Sequence, residues 1–438
     1  MTAIPNDAMR TAGGQGPTLV RAVSRWQIVG LAVNDVIGSG IFLLPAAAAA
    51  LLGGASVVAV ILAGCAVGLL VLCFAEASGY FDQPGGAYLY TREAFGDFIG
   101  FEVGWMTWLA RIASVASLSA GFAVATTYVL PSADTGATRV AVIATPLAIL
   151  TLVNVVGVTP GARVAVGFAI AKTVPLLIFI GFGIFAVDWS RLGAMEAPAF
   201  ETLGEASLLL LFAYAGFENT PAAAGEYRNP QRDVPFALLT MIALVTLLYA
   251  LVQIVALGTL PGLAESSSPL AESATLFLGA GAGLLMTVGA MVSIAGNVGN
   301  TTLVGPRYLF ALSRDGFGPS LFGEVHPRFR TPAAAIIAQS VIALVLALSG
   351  TFVELAMLSI VARLATYIGT AAAIPVLRHR REARPGAFRL PGGALIPIGA
   401  LLICLMFMAS ATSQNLIAGA IALGLGAVIY RLRRTLPA

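Results

Sequence analysis

Five ionisable residues, Asp35, Arg111, Lys172, Glu218 and Arg363, fall deep inside apolar runs by residue counting. An ion in hydrocarbon costs at least about 2.5 kcal/mol even on a lenient insertion scale, so residues of this kind pair with one another and mark paths for polar solutes. Lys172 is the most informative of them. The chain has 24 basic residues, and this is its one lysine. A compact, titratable ammonium kept where every other cation is arginine points to a task that arginine's wide, permanently charged fork would not serve. Snorkelling to an interface is the bland alternative, but Lys172 lies eight residues past Val164, about 12 Å deep at 1.5 Å per residue. Asp35 stands eight residues into the first span and Lys172 eight into the fifth, which predicts similar depth and an ion pair between them. Arg111 is the other candidate partner for Asp35. As a structural alternative, Arg111 and Arg363 tie helices together. Glu76 and Glu102, nearer an interface, are expected to be solvated.

Two further segments carry chemistry through their backbone. Asp35-Val36-Ile37-Gly38-Ser39-Gly40-Ile41-Phe42 places two glycines and a serine at mid-span. Each glycine lowers helix stability by about 1 kcal/mol and favours unwinding. Unwinding exposes N–H groups at the start of the next half-helix, a site for a carboxylate. Close packing between helices would instead favour glycines four apart, and Gly38 and Gly40 are two apart. The second segment, Phe212-Ala213-Tyr214-Ala215-Gly216-Phe217-Glu218-Asn219 followed by Pro221, combines glycine, a buried acid, an amide and a proline. Carbonyls freed at such a break would hold an ammonium. Together the two breaks describe a pocket for the backbone of a free amino acid.

These residues must be positioned by membrane helices. The chain is 58% hydrophobic and 10% charged, against about 25% charged in soluble domains. Twelve apolar stretches can be read: 27–48, 56–78, 98–129, 140–158, 164–187, 208–225, 236–260, 275–303, 333–348, 353–376, 394–408 and 415–430. Most approach the roughly 20 residues a span needs, and strand alternation is missing, so the expected fold is an all-α polytopic membrane protein of twelve transmembrane helices. Broken first and sixth helices suggest a 5+5 inverted repeat. The expected division is a tail over 1–25, a ten-helix core over 26–376, a basic loop over 377–391, two accessory helices over 392–434 and a C-terminal end over 435–438.

Arginine sets the orientation. With a cytoplasmic N-terminus, eighteen arginines from Arg10 to Arg434 lie inside and only Arg139 and Arg191 outside, which places both termini in the cytoplasm of a cell with the protein in its inner membrane. The net charge of +3 is then a topology signal and gives no reason to expect nucleic acid. The three cysteines fall in spans and imply no disulfide framework. The opening residues are polar and run into a full-length span, so no cleavable signal peptide is expected. His326 and His379 are placed on cytoplasmic loops without ligands at metal spacing, so neither metal nor cofactor is expected.

Several strings taken together resemble the amino acid–polyamine–organocation transporters with the LeuT-like fold. They are Gly38-Ser39-Gly40-Ile41-Phe42, Pro84-Gly85-Gly86-Ala87-Tyr88, Gly216-Phe217-Glu218, Asn229-Pro230 before Val234-Pro235, Ala311-Leu312-Ser313-Arg314-Asp315-Gly316, and Thr331-Pro332, spread over about 26–376. The resemblance implies alternating access, with helices one, two, six and seven rocking against three, four, eight and nine. It implies substrate contacts from Val36, Ile37, Gly38, Ser39, Gly40, Phe212, Ala213, Ala215 and Asn300. The Ser39 and Gly40 N–H groups would take the carboxylate, and the Val36, Phe212 and Ala215 carbonyls the amine. Coupling or gating would fall to Lys172, Asp35, Glu218, Tyr88 and Arg111. In sodium-independent members a lysine ammonium stands where others hold sodium between the first and eighth helices, and Lys172 matches that place, near Asn300 and Thr301. Compared with arginine/agmatine exchangers, Phe212 and Asn300 stand where two tryptophans close over the substrate, which weakens the case for a guanidinium side chain. Uncharged side chains are therefore favoured over cationic ones.

The reading is a sodium-independent secondary transporter of amino acids, working as proton symport or exchange. Its expected partners are the substrate, the bilayer and, for symport, protons, while the last two helices either brace the scaffold or contact a second copy of the chain. A cationic amino acid or polyamine exchanger, or a channel or sensor with a vestigial pocket, are the alternatives. A membrane acyltransferase would need a midplane histidine, and an ATP-driven pump a phosphate-binding loop; neither is present.

Overall fold

The computed structural model describes residues 23–81, 85–157, 162–192, 198–221, 227–380, 382 and 386–435. Expectations for the tail up to residue 22, for Pro84, Arg381 and Arg384, and for the last three residues lie outside that set. The regular secondary structure among the described residues is helical, with turns and loops between helices and one isolated bridge between Val23 and Tyr227. In chain order the helices are α1 (Arg25–Val36), α2 (Ser39–Leu52), α3 (Ser56–Ser78), α4 (Gly86–Phe95), α5 (Asp97–Thr126), α6 (Gly136–Val156), α7 (Ala162–Gly183), α8 (Phe200–Tyr214), α9 (Pro230–Thr259), α10 (Pro269–Leu278), α11 (Ala280–Arg314), α12 (Ala333–Ser349), α13 (Phe352–Arg380), α14 (Leu395–Ala409) and α15 (Ser413–Thr435).

Among the described residues, eight helical segments are long and apolar enough to cross a bilayer, and α12 and α14 are shorter apolar helices. Helix is the outcome because a bilayer offers no partner for N–H and C=O groups, and only a helix satisfies them within one segment. Exposed apolar side chains such as Phe185, at 90% relative exposure, and Leu152, at 63%, then face lipid.

The architecture is layered around α5. Its most apolar window is 83% buried, against 11% for α15. It packs on α13, α11 and α12, while α9 holds α3 and α1, and α8 holds α2 and α3. A polar seam fixes α5 to α13: Thr107 to Thr366 at 2.7 Å, Ser114 to Ser359 at 2.7 Å, and the Ser117 hydroxyl donating to the Phe352 carbonyl at 2.8 Å. Several expected boundaries move. The 275–303 run divides at Gly279 into α10 and α11, because that glycine is in the left-handed region (φ 85°). Helix α13 continues to Arg380, so the basic loop starts later than 377, and His379 sits in the last helical turn with Nδ1 2.7 Å from the Pro375 carbonyl.

Candidate functional site

The first span is broken where its glycines require. Helix α1 stops at Val36, α2 starts at Ser39, and Ile37 and Gly38 between them are not helical. Helix α8 stops at Tyr214, Ala215 is extended, and Gly216 at φ 128° leads into a single tight turn over Phe217–Asn219. The two breaks lie against each other. A Cβ on Gly40 would come 2.7 Å from the Ala213 Cα, and one on Gly216 would come 2.6 Å from the Asp35 carbonyl oxygen. Glycine is therefore needed at both places for backbone approach as well as for unwinding.

A small cavity of about 40 Å³ opens where the breaks meet. Of the expected contacts, Val36, Gly38, Ser39, Gly40, Phe212, Ala213, Ala215 and Asn300 line it. Ile37 does not: its side chain is buried in the core and its carbonyl turns to Lys172. The Ser39 hydroxyl is buried without a partner, beside the N–H groups that open α2 and lack intrahelical acceptors. The Val36 carbonyl accepts from the Tyr249 hydroxyl at 3.2 Å, and the Phe212 carbonyl from the Ala215 N–H at 3.2 Å, each keeping a second lone pair. Phe212, in the cavity wall, meets Phe352 of α13 edge to face at 5.9 Å.

The charges pair differently from the sequence expectation. Asp35 forms no ion pair with Lys172 or Arg111 within 4 Å; its Oδ1 accepts from the Asn300 amide at 2.7 Å. Arg111 turns to the second break instead, donating to Glu218 at 3.1 Å and to the Asn219 Oδ1 at 2.6 Å. Arg363 from α13 also binds Glu218 and donates to the Ser114 hydroxyl at 2.6 Å. Glu218 accepts in addition from the Gly216 N–H at 2.9 Å, so the acid holds its own helix break open. Spacing along single helices could not reveal a partnership among residues on α5, α13 and the turn after α8. Arg111 and Arg363 tie helices together and also line the cavity.

Lys172 caps a half-helix. Its ammonium donates to the Asn34 carbonyl at 2.5 Å, to the Ile37 carbonyl at 2.7 Å and to the Asn297 Oδ1 at 3.3 Å. The first two are orphan carbonyls at the C-terminus of α1, where a cation also complements the helix dipole. The α11 contact is Asn297, one turn before the expected Asn300 and Thr301. Ser293, Asn297 and Asn300 lie on one face of α11 and grip the first break, through the Ile37 carbonyl at 3.3 Å, the Asp35 carbonyl at 3.4 Å and the Asp35 side chain. The sequence reading missed Ser293, Asn297 and Ser114, and gave Asn219 only as part of the second break; polar residues recurring on one face of apolar helices were the available signal for the first three.

Other expected features lie elsewhere. The Tyr88 hydroxyl binds Asp315, and Arg92 bridges to the same carboxylate at 2.9 Å, so Tyr88 belongs to a cluster away from the cavity. Burial, then the Asp315 carboxylate, raise the Tyr88 phenol above its ordinary value, which keeps it protonated at neutral pH. Glu76 and Glu102 are buried, not solvated. Glu76 pairs bidentately with Arg378 at 2.7 Å and accepts from the Leu390 N–H, while both Glu102 oxygens lack partners. Interface proximity along the sequence does not place a side chain toward water when a neighbouring helix covers it. Among the described residues no group of acids, histidines and cysteines could hold a metal ion.

Residues 23–424 match the family model described as amino acid permease. The methylthioribose transporter of Bacillus subtilis (strain 168) is 29% identical over 96% of this chain and 95% of its own. The serine/threonine exchanger SteT of the same organism is 30% identical over 85% of this chain and 86% of its own. The branched-chain amino acid permease BcaP, also of that organism, is 27% identical over 95% and 93%.

Proposed function

Because the chain belongs to the amino acid permease family, we propose that it moves free amino acids across the cell membrane by alternating access and without sodium, as exchange or proton symport. The observation that carries this reading is the meeting of two broken helices at one cavity, with the unpartnered Ser39 hydroxyl and the first N–H groups of α2 on one side and the carbonyls of both breaks nearby. That arrangement suits a carboxylate and an ammonium on one carbon. Relatives named for serine and threonine and for branched-chain amino acids share that backbone and differ in side chain. Lys172, bonded between α1 and α11, supports sodium independence, since it fills with an ammonium the space a monovalent cation would need. Twelve spans in a 5+5 repeat, with both termini cytoplasmic, are the topology this mechanism uses. A carrier for cationic side chains or polyamines fits less well, because Arg111 and Arg363 face the cavity.

The test is calorimetric binding to the purified protein. A panel of free L-amino acids should contain ligands whose decarboxylated amines and amides bind at least about tenfold more weakly, since loss of the carboxylate strands aligned donors. Equal affinity for an amino acid and its amine would refute the backbone site.

A further inference from the structure

The buried ions around the cavity do not balance. Lys172, Arg111, Arg363 and Glu218 are buried and Asp35 lines the cavity, so three cations face two carboxylates and leave one positive charge in surplus when all five are ionised. Lys172 is spent on the first break and Arg363 is held by Glu218 and Ser114. Arg111 is 2% exposed, lines the cavity, and its Nε–H is a buried donor with no acceptor, although its Nη2 is engaged by Glu218 and Asn219. A zwitterionic backbone adds no net charge, so it cannot cancel the surplus. An unpaired buried guanidinium donor is costly, and a carboxylate is the partner that matches its fork.

From these observations we propose that Arg111 is a specificity-determining residue that takes a second carboxylate, on the substrate side chain, making this chain a carrier of acidic amino acids. The proposal rests on the cavity being an amino-acid site and deepens it. With the α-carboxylate at Ser39, the side chain reaches across the cavity to α5, where the Arg111 Nε–H is the donor left without an acceptor, whereas the Ser114 hydroxyl is already engaged by Ser359 and Arg363. Asp35, held by Asn300, lines the same cavity and is the carboxylate available to a substrate ammonium. Cationic side chains are excluded by like charge, and amides by the unmatched guanidinium.

Calorimetry on the full-length protein in detergent, in buffers with and without chloride, tests it with L-glutamate, L-aspartate, L-glutamine, L-asparagine, L-alanine and L-arginine. The expected result is at least about tenfold preference for an acid over its own amide. In Arg111→Gln, Glu218 keeps Arg363 as its partner and the surplus charge is gone, so the acid-to-amide ratio should fall to near one or invert. Arg111→Lys, which restores the charge, should recover part of the preference. Wild-type affinity that does not favour acids, a ratio unmoved by Arg111→Gln, or neutral ligands that bind only with chloride, meaning that an inorganic ion fills the charge, would each overturn the assignment. Those outcomes leave the amino-acid site standing; failure of every amino acid to bind removes both.

Discussion

Removing the Lys172 ammonium should disable transport while sparing the fold. Its two shortest bonds, 2.5 Å to the Asn34 carbonyl and 2.7 Å to the Ile37 carbonyl, satisfy the C-terminal end of α1 inside the membrane. Stranding a buried carbonyl costs about 1–3 kcal/mol. Ile37 keeps the Ser293 hydroxyl at 3.3 Å, so the full penalty falls on Asn34. Loss of a cation at a partly buried helix C-terminus adds up to about 2 kcal/mol. Together these give about 3 kcal/mol against the broken conformation, or about a hundredfold in any step that depends on it. Helices α1 and α2 are each held independently, on α9 and on α8, so the loss concentrates at the break. Uptake of radiolabelled substrate into proteoliposomes should therefore fall to about one hundredth in Lys172→Ala. Lys172→Met, which keeps the stem volume, should fall comparably, while both variants elute as the wild type does from a sizing column. Normal uptake by either variant, or a wild-type carrier that needs a sodium gradient, would show that the ammonium is a passenger and refute the capping argument.

Glu218→Gln leaves Arg111 and Arg363 buried together without their shared carboxylate, so it should cost about 3–5 kcal/mol; a clearly lowered melting temperature in detergent is expected, and an unchanged one would mean that the two arginines find other acceptors. Gly216→Ala forces a side chain onto a backbone at φ 128° and against the Asp35 carbonyl. With about 1–3 kcal/mol of strain added to that clash, substrate binding by calorimetry should be lost. Retained binding would show that the two breaks need not touch.

Membrane residence, the helical class and the two breaks were legible in the chain because each depends on local composition. Apolar runs of spanning length, and glycines that weaken a helix at mid-span, act within one segment whatever surrounds it. Lys172 was legible for a related reason: an ammonium that deep must be held by something. The elements that hold it, the first break and α11, followed from the family resemblance; the individual atoms did not. Asp35 and Lys172 are at matched counts along their spans, yet the ammonium chose carbonyls and Asp35 chose Asn300. Depth is a single coordinate, whereas pairing also needs rotation about each helix axis and lateral order in the bundle, and packing sets both. The same reason hid the Glu218 cluster, whose members come from α5, α13 and the turn after α8. It also hid the burial of Glu76 and Glu102 beneath neighbouring helices. The sequence alone determined where the helices break. Only the tertiary packing decided which charges meet at the breaks, because electrostatic partners are chosen by distances of a few ångströms between elements far apart in the chain.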